Sequence, residues 1–139
     1  MTRLAFKELD FVTVSDYEIT QGTVSYTANT LTHFAKEGEL FFLCGSDMFL
    51  TLDKWYRPDV IFENAIIVLA SRDHALDEEC LVKKSQYEKE FGARITALPN
   101  PVRKLSSTDV RNAVKENRPI SSLVPPAVET YIKENHFYE

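Results

Sequence analysis

Near the C-terminal end, Lys104-Leu105-Ser106-Ser107-Thr108-Asp109-Val110-Arg111 joins a hydroxyl cluster to an arginine about one turn further on. The hydroxyls end an irregular segment and open a helix whose apolar face reads Val110, Ala113 and Val114. A helix start presents unpaired backbone N–H groups and the positive end of the macrodipole, and a nearby arginine makes that end suit a phosphate chain. The same residues also spell a capping box, with Ser106 as N-cap and Asp109 three residues on, which is the commoner use of such a pattern.

Three further stretches bear on the choice. Gly45-Ser46-Asp47 directly follows an apolar run; glycine allows close approach of a ligand, and an aspartate beyond it can accept from ribose hydroxyls or cap the next helix. Ser25-Tyr26-Thr27 stands at another helix start, where a carboxylate or phosphate can be held, or where a plain N-cap suffices. Trp55-Tyr56 falls in a loop, and loop aromatics either stack on flat rings or half-bury themselves as packing. His33, His74 and His136 share no metal or triad spacing with other residues and read as surface or capping histidines. Lys83 and Lys84 read as a solvated helix face. Neither a Walker A loop nor a glycine-rich dinucleotide fingerprint is present.

The elements that must carry these residues follow from periodicity. Leu40–Cys44, Ala65–Ala70 and Arg94–Leu98 are short apolar runs of the kind buried on both faces of a parallel sheet, and Phe11–Val14 is a shorter strand candidate. Helices are expected over residues 2–9, from Ser25 to about Glu37 with Gly38 as cap, over 48–52, from Pro58 to Glu63, from Asp77 to Phe91 closed by Gly92, from Ser106, and from Pro125-Pro126 with Val128, Tyr131 and Ile132 on one face. Tyr17-Glu18-Ile19 leads to a turn at Gly22. Strands alternating with helices imply βαβ units and a parallel sheet, with ligands at the C-terminal strand ends. Gly45-Ser46-Asp47, Arg72-Asp73 and Ser106 to Arg111 all follow strand candidates.

Composition sets the bounds. The 139 residues, 44% hydrophobic and 27% charged, suit one globular domain spanning 1–139. A net charge of −5 argues against a nucleic-acid groove or a membrane surface as the main partner, while leaving room for a small anion held locally. Cys44 and Cys80 lack metal spacing and read as buried thiols in a reducing compartment. With no apolar run of membrane length and no signal-peptide pattern at Met1-Thr2-Arg3-Leu4, the chain reads as cytoplasmic.

As an ordered set, these stretches resemble the bacterial nicotinate-nucleotide adenylyltransferase family, within the nucleotidyltransferase superfamily of Rossmann-like α/β enzymes. The matching pieces are Val14-Ser15-Asp16 with Glu18, Ser25-Tyr26-Thr27 with Thr30-Leu31, Phe42 to Asp47, Lys54-Trp55-Tyr56, Leu105 to Arg111 against the family's Ile-Ser-Ser-Thr-x-x-Arg pattern, and Ser122 to Pro125 with Val128 and Tyr131-Ile132. The resemblance implies transfer of AMP from ATP to nicotinate mononucleotide, giving deamido-NAD and pyrophosphate, with Mg²⁺ accompanying ATP. It implies that Ser107, Thr108 and Arg111 hold the ATP phosphates, that Gly45 and Asp47 line the nucleotide, that Trp55 stacks near the nicotinate ring, and that Tyr26 and Thr27 meet its carboxylate or the adjacent loop. Such catalysis is mostly positioning and charge stabilisation.

The family's Gly-x-Phe-x-Pro-x-His-x-Gly-His segment does not occur in these residues, and none of the three histidines fits it. The resemblance therefore implies a chain starting inside the helix before the family's third strand, missing the first two strands, impaired in turnover and without an assignable catalytic residue. In a 3-2-1-4-5 order that leaves Phe11–Val14 without a neighbour and one edge of Leu40–Cys44 bare. Either a second copy pairs there, giving a homo-oligomer through the exposed edge, or residues 1–22 rearrange. The alternative function is a non-catalytic nucleotide-binding or interaction module that keeps the phosphate-binding helix start.

Overall fold

The computed structural model describes residues 1–71, 77–99 and 105–138. Arg72-Asp73, His74, Pro101 and Lys104 lie outside the described residues. The chain forms two compact units, Asp16–Val102 and Met1–Ser15 with Arg103–Glu139.

The larger unit is an α/β layer built on three parallel strands, β1 (Leu40–Gly45), β2 (Ala65–Ser71) and β3 (Ile95–Pro99), in the order β1-β2-β3. Phe42 is in register with Ile67 and Cys44 with Leu69, and Ile67 with Ile95 in turn. Cys44, Ala65, Ile67 and Leu69 are buried on one face among Leu52, Ile61, Phe62 and Tyr87. The opposite face departs from the expected two-sided burial: Phe41 and Leu43 remain 62% and 60% exposed, and Leu98 47%. An unbroken apolar run shows that a strand can be covered on both faces, but coverage itself needs a second helical layer. Here the packed helices lie with the Cys44–Leu69 face.

Those helices are α3 (Thr27–Phe34), α5 (Pro58–Asn64) and α6 (Glu78–Phe91), preceded by a single turn α2 (Tyr17–Thr20) that the sequence reading passes over. α6 ends where expected, because Gly92 takes the left-handed conformation at φ 63° that closes a helix without a Cβ penalty. α3 is shorter than expected: after Phe34 the chain tightens, with Glu37 N–H donating to the Phe34 carbonyl, and Gly38 lies beyond the cap at Ala35. The segment expected as one helix over 48–52 splits into α4 (Ser46–Phe49) and a 3₁₀ turn at Leu52–Lys54.

The smaller unit holds α1 (Thr2–Ala5), α7 (Ser107–Lys115) and α8 (Pro126–Glu134) around Ala113, Ile120, Val128 and Ile132. The helix expected over 2–9 stops at Ala5, and Phe11–Val14 forms no strand. A strand exists by ladder pairing, and alternation without a partner does not make one. Instead the Val12 N–H donates back to Leu9, and Phe11 is 85% exposed.

Candidate functional site

The start of α7 realises the capping box in full. The Asp109 carboxylate accepts from Ser106 N–H and Oγ, both at 2.7 Å, and Ser106 Oγ accepts from Asp109 N–H at 3.2 Å. Those bonds from Ser106 hold the Asp109 carboxyl below its ordinary range. The box satisfies the amides of Ser106 and Asp109 and leaves those of Ser107 and Thr108 without a partner inside the helix. Arg111 Nη2 donates to Thr108 Oγ1 at 3.0 Å, folding the guanidinium onto the same first turn. Capping and anion holding are therefore compatible: one uses the outer amides, the other the two between them plus Arg111.

In the larger unit, the start of α3 is different. Tyr26 is its N-cap in extended conformation and makes no side-chain capping bond. The amides of Thr27 and Ala28 open the helix without intrahelical acceptors. Ser25 Oγ, just upstream, donates to the Glu18 carbonyl at 3.4 Å and Thr30 Oγ1, within α3, donates to the Glu18 carboxylate, tying the start of α3 to α2. The Tyr26 ring lies 4.3 Å from that of Tyr56, centroid to centroid, so the structure brings Ser25-Tyr26-Thr27 beside the Trp55-Tyr56 loop.

Trp55 is half-buried rather than a free loop aromatic. Its Nε1–H donates to Thr51 Oγ1 at 3.3 Å, and its ring meets Phe42 edge-on at 6.3 Å. Thr51 Oγ1 in turn donates toward the carbonyls of Met48 at 3.0 Å and Asp47 at 3.4 Å. One hydroxyl thus links the indole to the turn that follows β1. There Gly45, not Asp47, is the N-cap of α4, and Asp47 stands exposed in its first turn. A Cβ at position 45 would fall 2.9 Å from Asp47 Oδ1, so any larger residue there would make the exposed carboxylate shift.

Lys83 corrects the expectation of a solvated face. Its Nζ lies 2.7 Å from Asp53 Oδ2, and both side chains are about four-fifths covered, at 22% and 20% exposed. Partial burial pushes the Asp53 carboxyl up, but the bonds from Lys83 and Tyr87 outweigh it and hold the group below its ordinary value. Tyr87 is fully buried, and burial with the Asp53 bond pushes its hydroxyl well above the usual tyrosine range. Lys84 instead pairs with Glu88 along α6, as a solvated face predicts. These anchors escape sequence reading because Asp53 and Lys83 are thirty residues apart; only the apolar spacing of Tyr87 on α6 hints at an inward side chain.

Both thiols are buried and free. Burial, then the Asp47 carboxylate and Cys80, lift Cys44 to about 11, which keeps it protonated and unreactive near neutrality. His33 is exposed, as a surface histidine would be, and stacks on Tyr17 at 3.8 Å. Gly45, Asp47, Tyr26, Thr27 and Trp55 thus gather within the larger unit, while Ser107, Thr108 and Arg111 gather on the first turn of α7 in the smaller one.

No family model matches the chain. A Lachnoclostridium phytofermentans protein described as a probable nicotinate-nucleotide adenylyltransferase is 36% identical over 141 residues, covering 99% of this chain and 70% of the relative. A Clostridium beijerinckii protein of the same description is 34% identical, covering 99% and 71%. Among solved structures, Plasmodium falciparum nicotinic acid mononucleotide adenylyltransferase complexed with APC superposes with a TM-score of 0.64 at 20% identity, over 91% of this chain and 64% of that one. That last likeness is one of fold: a parallel α/β sheet of Rossmann type. Identity and coverage together settle the assignment: the chain belongs to the nicotinate-nucleotide adenylyltransferase family.

Proposed function

We propose that this chain takes part in adenylyl transfer from ATP to nicotinate mononucleotide, giving deamido-NAD and pyrophosphate. The observation that carries the reading is the meeting of an uncapped helix start with an aromatic loop: Tyr26 on Tyr56, next to a half-buried Trp55. A pyridine carboxylate suits the free amides of Thr27 and Ala28, and a flat ring suits the indole. Gly45 and Asp47 line the nucleotide at the end of β1. On α7, the amides of Ser107 and Thr108, their hydroxyls and Arg111 hold the ATP phosphates.

In the reaction, a phosphate oxygen of nicotinate mononucleotide attacks the α-phosphorus of ATP. The new P–O bond forms as the bond to the β-phosphate oxygen breaks, and pyrophosphate leaves with that electron pair. The chain's part is to align the two phosphates and to offset charge on the departing group. ATP enters with Mg²⁺. The ion is proposed to travel on the ATP phosphates as part of the substrate. A cytoplasmic setting goes with this reading, since both thiols are free; among the described residues no helix is long and apolar enough to cross a membrane.

The 139 residues contain no His-x-Gly-His segment, and turnover by this chain alone is impaired for want of the imidazoles that would stabilise the transferring phosphoryl group. In a pyrophosphate-release assay beside a relative that carries the segment, the chain turns over about a hundredfold or more slowly, while calorimetry detects both ligands. Turnover equal to the relative's would overturn the impairment. Absence of binding for both ligands would overturn the adenylyl-transfer reading, and ATP binding alone would favour a nucleotide-binding module.

β1 lies at one edge of the sheet and exposes Phe41 and Leu43. Edges of this kind recruit strands, and a second copy of the chain is the proposed occupant. Sedimentation velocity at rising protein concentration then shows a dimer; a monomer throughout the range rejects it.

A further inference from the structure

The Trp55-Tyr56 loop is held from beneath by residues that touch no proposed ligand position. Tyr87, fully buried on α6, places its hydroxyl 2.9 Å from the Phe49 carbonyl and 3.0 Å from Asp53 Oδ1. The Asp53 N–H donates back to the same hydroxyl at 3.5 Å. The other carboxylate oxygen of Asp53 takes the Lys83 ammonium at 2.7 Å, and that ammonium stands 5.3 Å from the centre of the Tyr87 ring. Both carboxylate oxygens, the hydroxyl and the ammonium are thereby engaged in one cluster. It grips the chain at Phe49 and Asp53, either side of Thr51, whose hydroxyl holds the indole.

Two residues beyond Asp53 comes Trp55, whose own N–H donates to Leu52 at 3.2 Å. On the far side Arg57 sits in the left-handed region at φ 50°, unusual for a residue with a Cβ, and its guanidinium chelates Asp59 at 2.7 to 3.2 Å.

We propose that Asp53, Lys83 and Tyr87 are positioning residues that fix the Trp55-Tyr56 loop and so set affinity for the pyridine nucleotide, leaving ATP affinity unchanged. The ligand part rests on the adenylyl-transfer reading above; the loop part does not. A covered ion pair differs here from the exposed pairs, such as Arg57 with Asp59 at 56% exposure each. Removing one partner of a covered pair leaves the other charge underneath the loop unmatched, and the loop must shift to let water reach it.

Lys83→Met and Tyr87→Phe remove one group each while keeping most of the buried volume. Trp55 is the single tryptophan, so its emission and acrylamide quenching report the loop directly. In both variants the indole becomes more quenchable, nicotinate mononucleotide binding by calorimetry weakens about tenfold, and ATP binding stays within about twofold, with the far-ultraviolet circular dichroism of the parent. An unchanged indole overturns the positioning role. So does equal weakening of both ligands, and so does a shifted indole with unaltered nucleotide affinity. Trp55→Ala measured alongside separates the causes: if it too leaves the pyridine nucleotide untouched, the adenylyl-transfer assignment of the loop has failed as well. If it weakens that ligand while the two variants do not, only the positioning role has failed. Should either variant lose its circular dichroism signal, the other carries the test.

Discussion

Trp55→Ala weakens nicotinate mononucleotide binding by about ten- to a hundredfold, since aromatic stacking of a flat ring is worth roughly 1–3 kcal/mol on truncation. ATP binding in the same variant stays within about twofold, because the indole, held by the Thr51 hydroxyl and Phe42, is proposed to meet the pyridine nucleotide alone. Arg111→Ala does the reverse. Its guanidinium lies on the first turn of α7, bonded to Thr108, and a charge-assisted contact to a phosphate is worth about 1.5–3 kcal/mol. Isothermal titration of each ligand against each variant gives four affinities. The crossed pattern supports the division of labour; equal losses for both ligands in either variant would show that the roles are misassigned. Trp55 also contributes packing, so the titrations belong well below the unfolding midpoint of the variant.

Phe62→Ala costs about 3–5 kcal/mol, which for a domain of ordinary stability is a large fraction of the whole. Phe62 is 2% exposed, with its ring 4.8 Å from Tyr87 and 4.9 Å from Phe91. Phe49 completes the cluster, edge-on to Tyr87 at 5.3 Å. Deleting the ring at 62 leaves a cavity bounded by two rings that are fixed elsewhere, Tyr87 through its hydroxyl and Phe91 at the end of α6, so collapse recovers little of the loss. Urea unfolding followed by Trp55 fluorescence measures it, since the indole belongs to the same unit. A shift in unfolding free energy under about 1 kcal/mol would mean the cluster tolerates collapse and does not organise the larger unit.

How far the chain could be read without coordinates depends on the range of the interaction concerned. The capping box at Ser106 and Asp109, the glycine that closes α6, and the apolar runs of β1, β2 and β3 were legible because each is set within a few residues: an amide and its cap, a left-handed φ, a side-chain period. The resemblance that led to the family lay in the same local motifs. Phe11–Val14 misled because strand formation needs an acceptor on another strand, and four residues cannot declare one. The exposure of Phe41 and Leu43 was hidden for a related reason: hydrophobicity states what a side chain prefers, whereas coverage depends on which layer packs against it.

By itself, then, the sequence determined the parallel α/β class, the capped start of α7 and the family, all of them carried by short-range chemistry. Only tertiary packing decided that Tyr26 meets Tyr56, that Thr51 ties the indole to the turn after β1, and that Lys83 is drawn beneath the loop by Asp53 rather than left in water. Those pairings join residues four to thirty positions apart. Their partners are chosen by which helix lies on which face of the sheet, and that choice is a property of the assembled core, not of any segment within it.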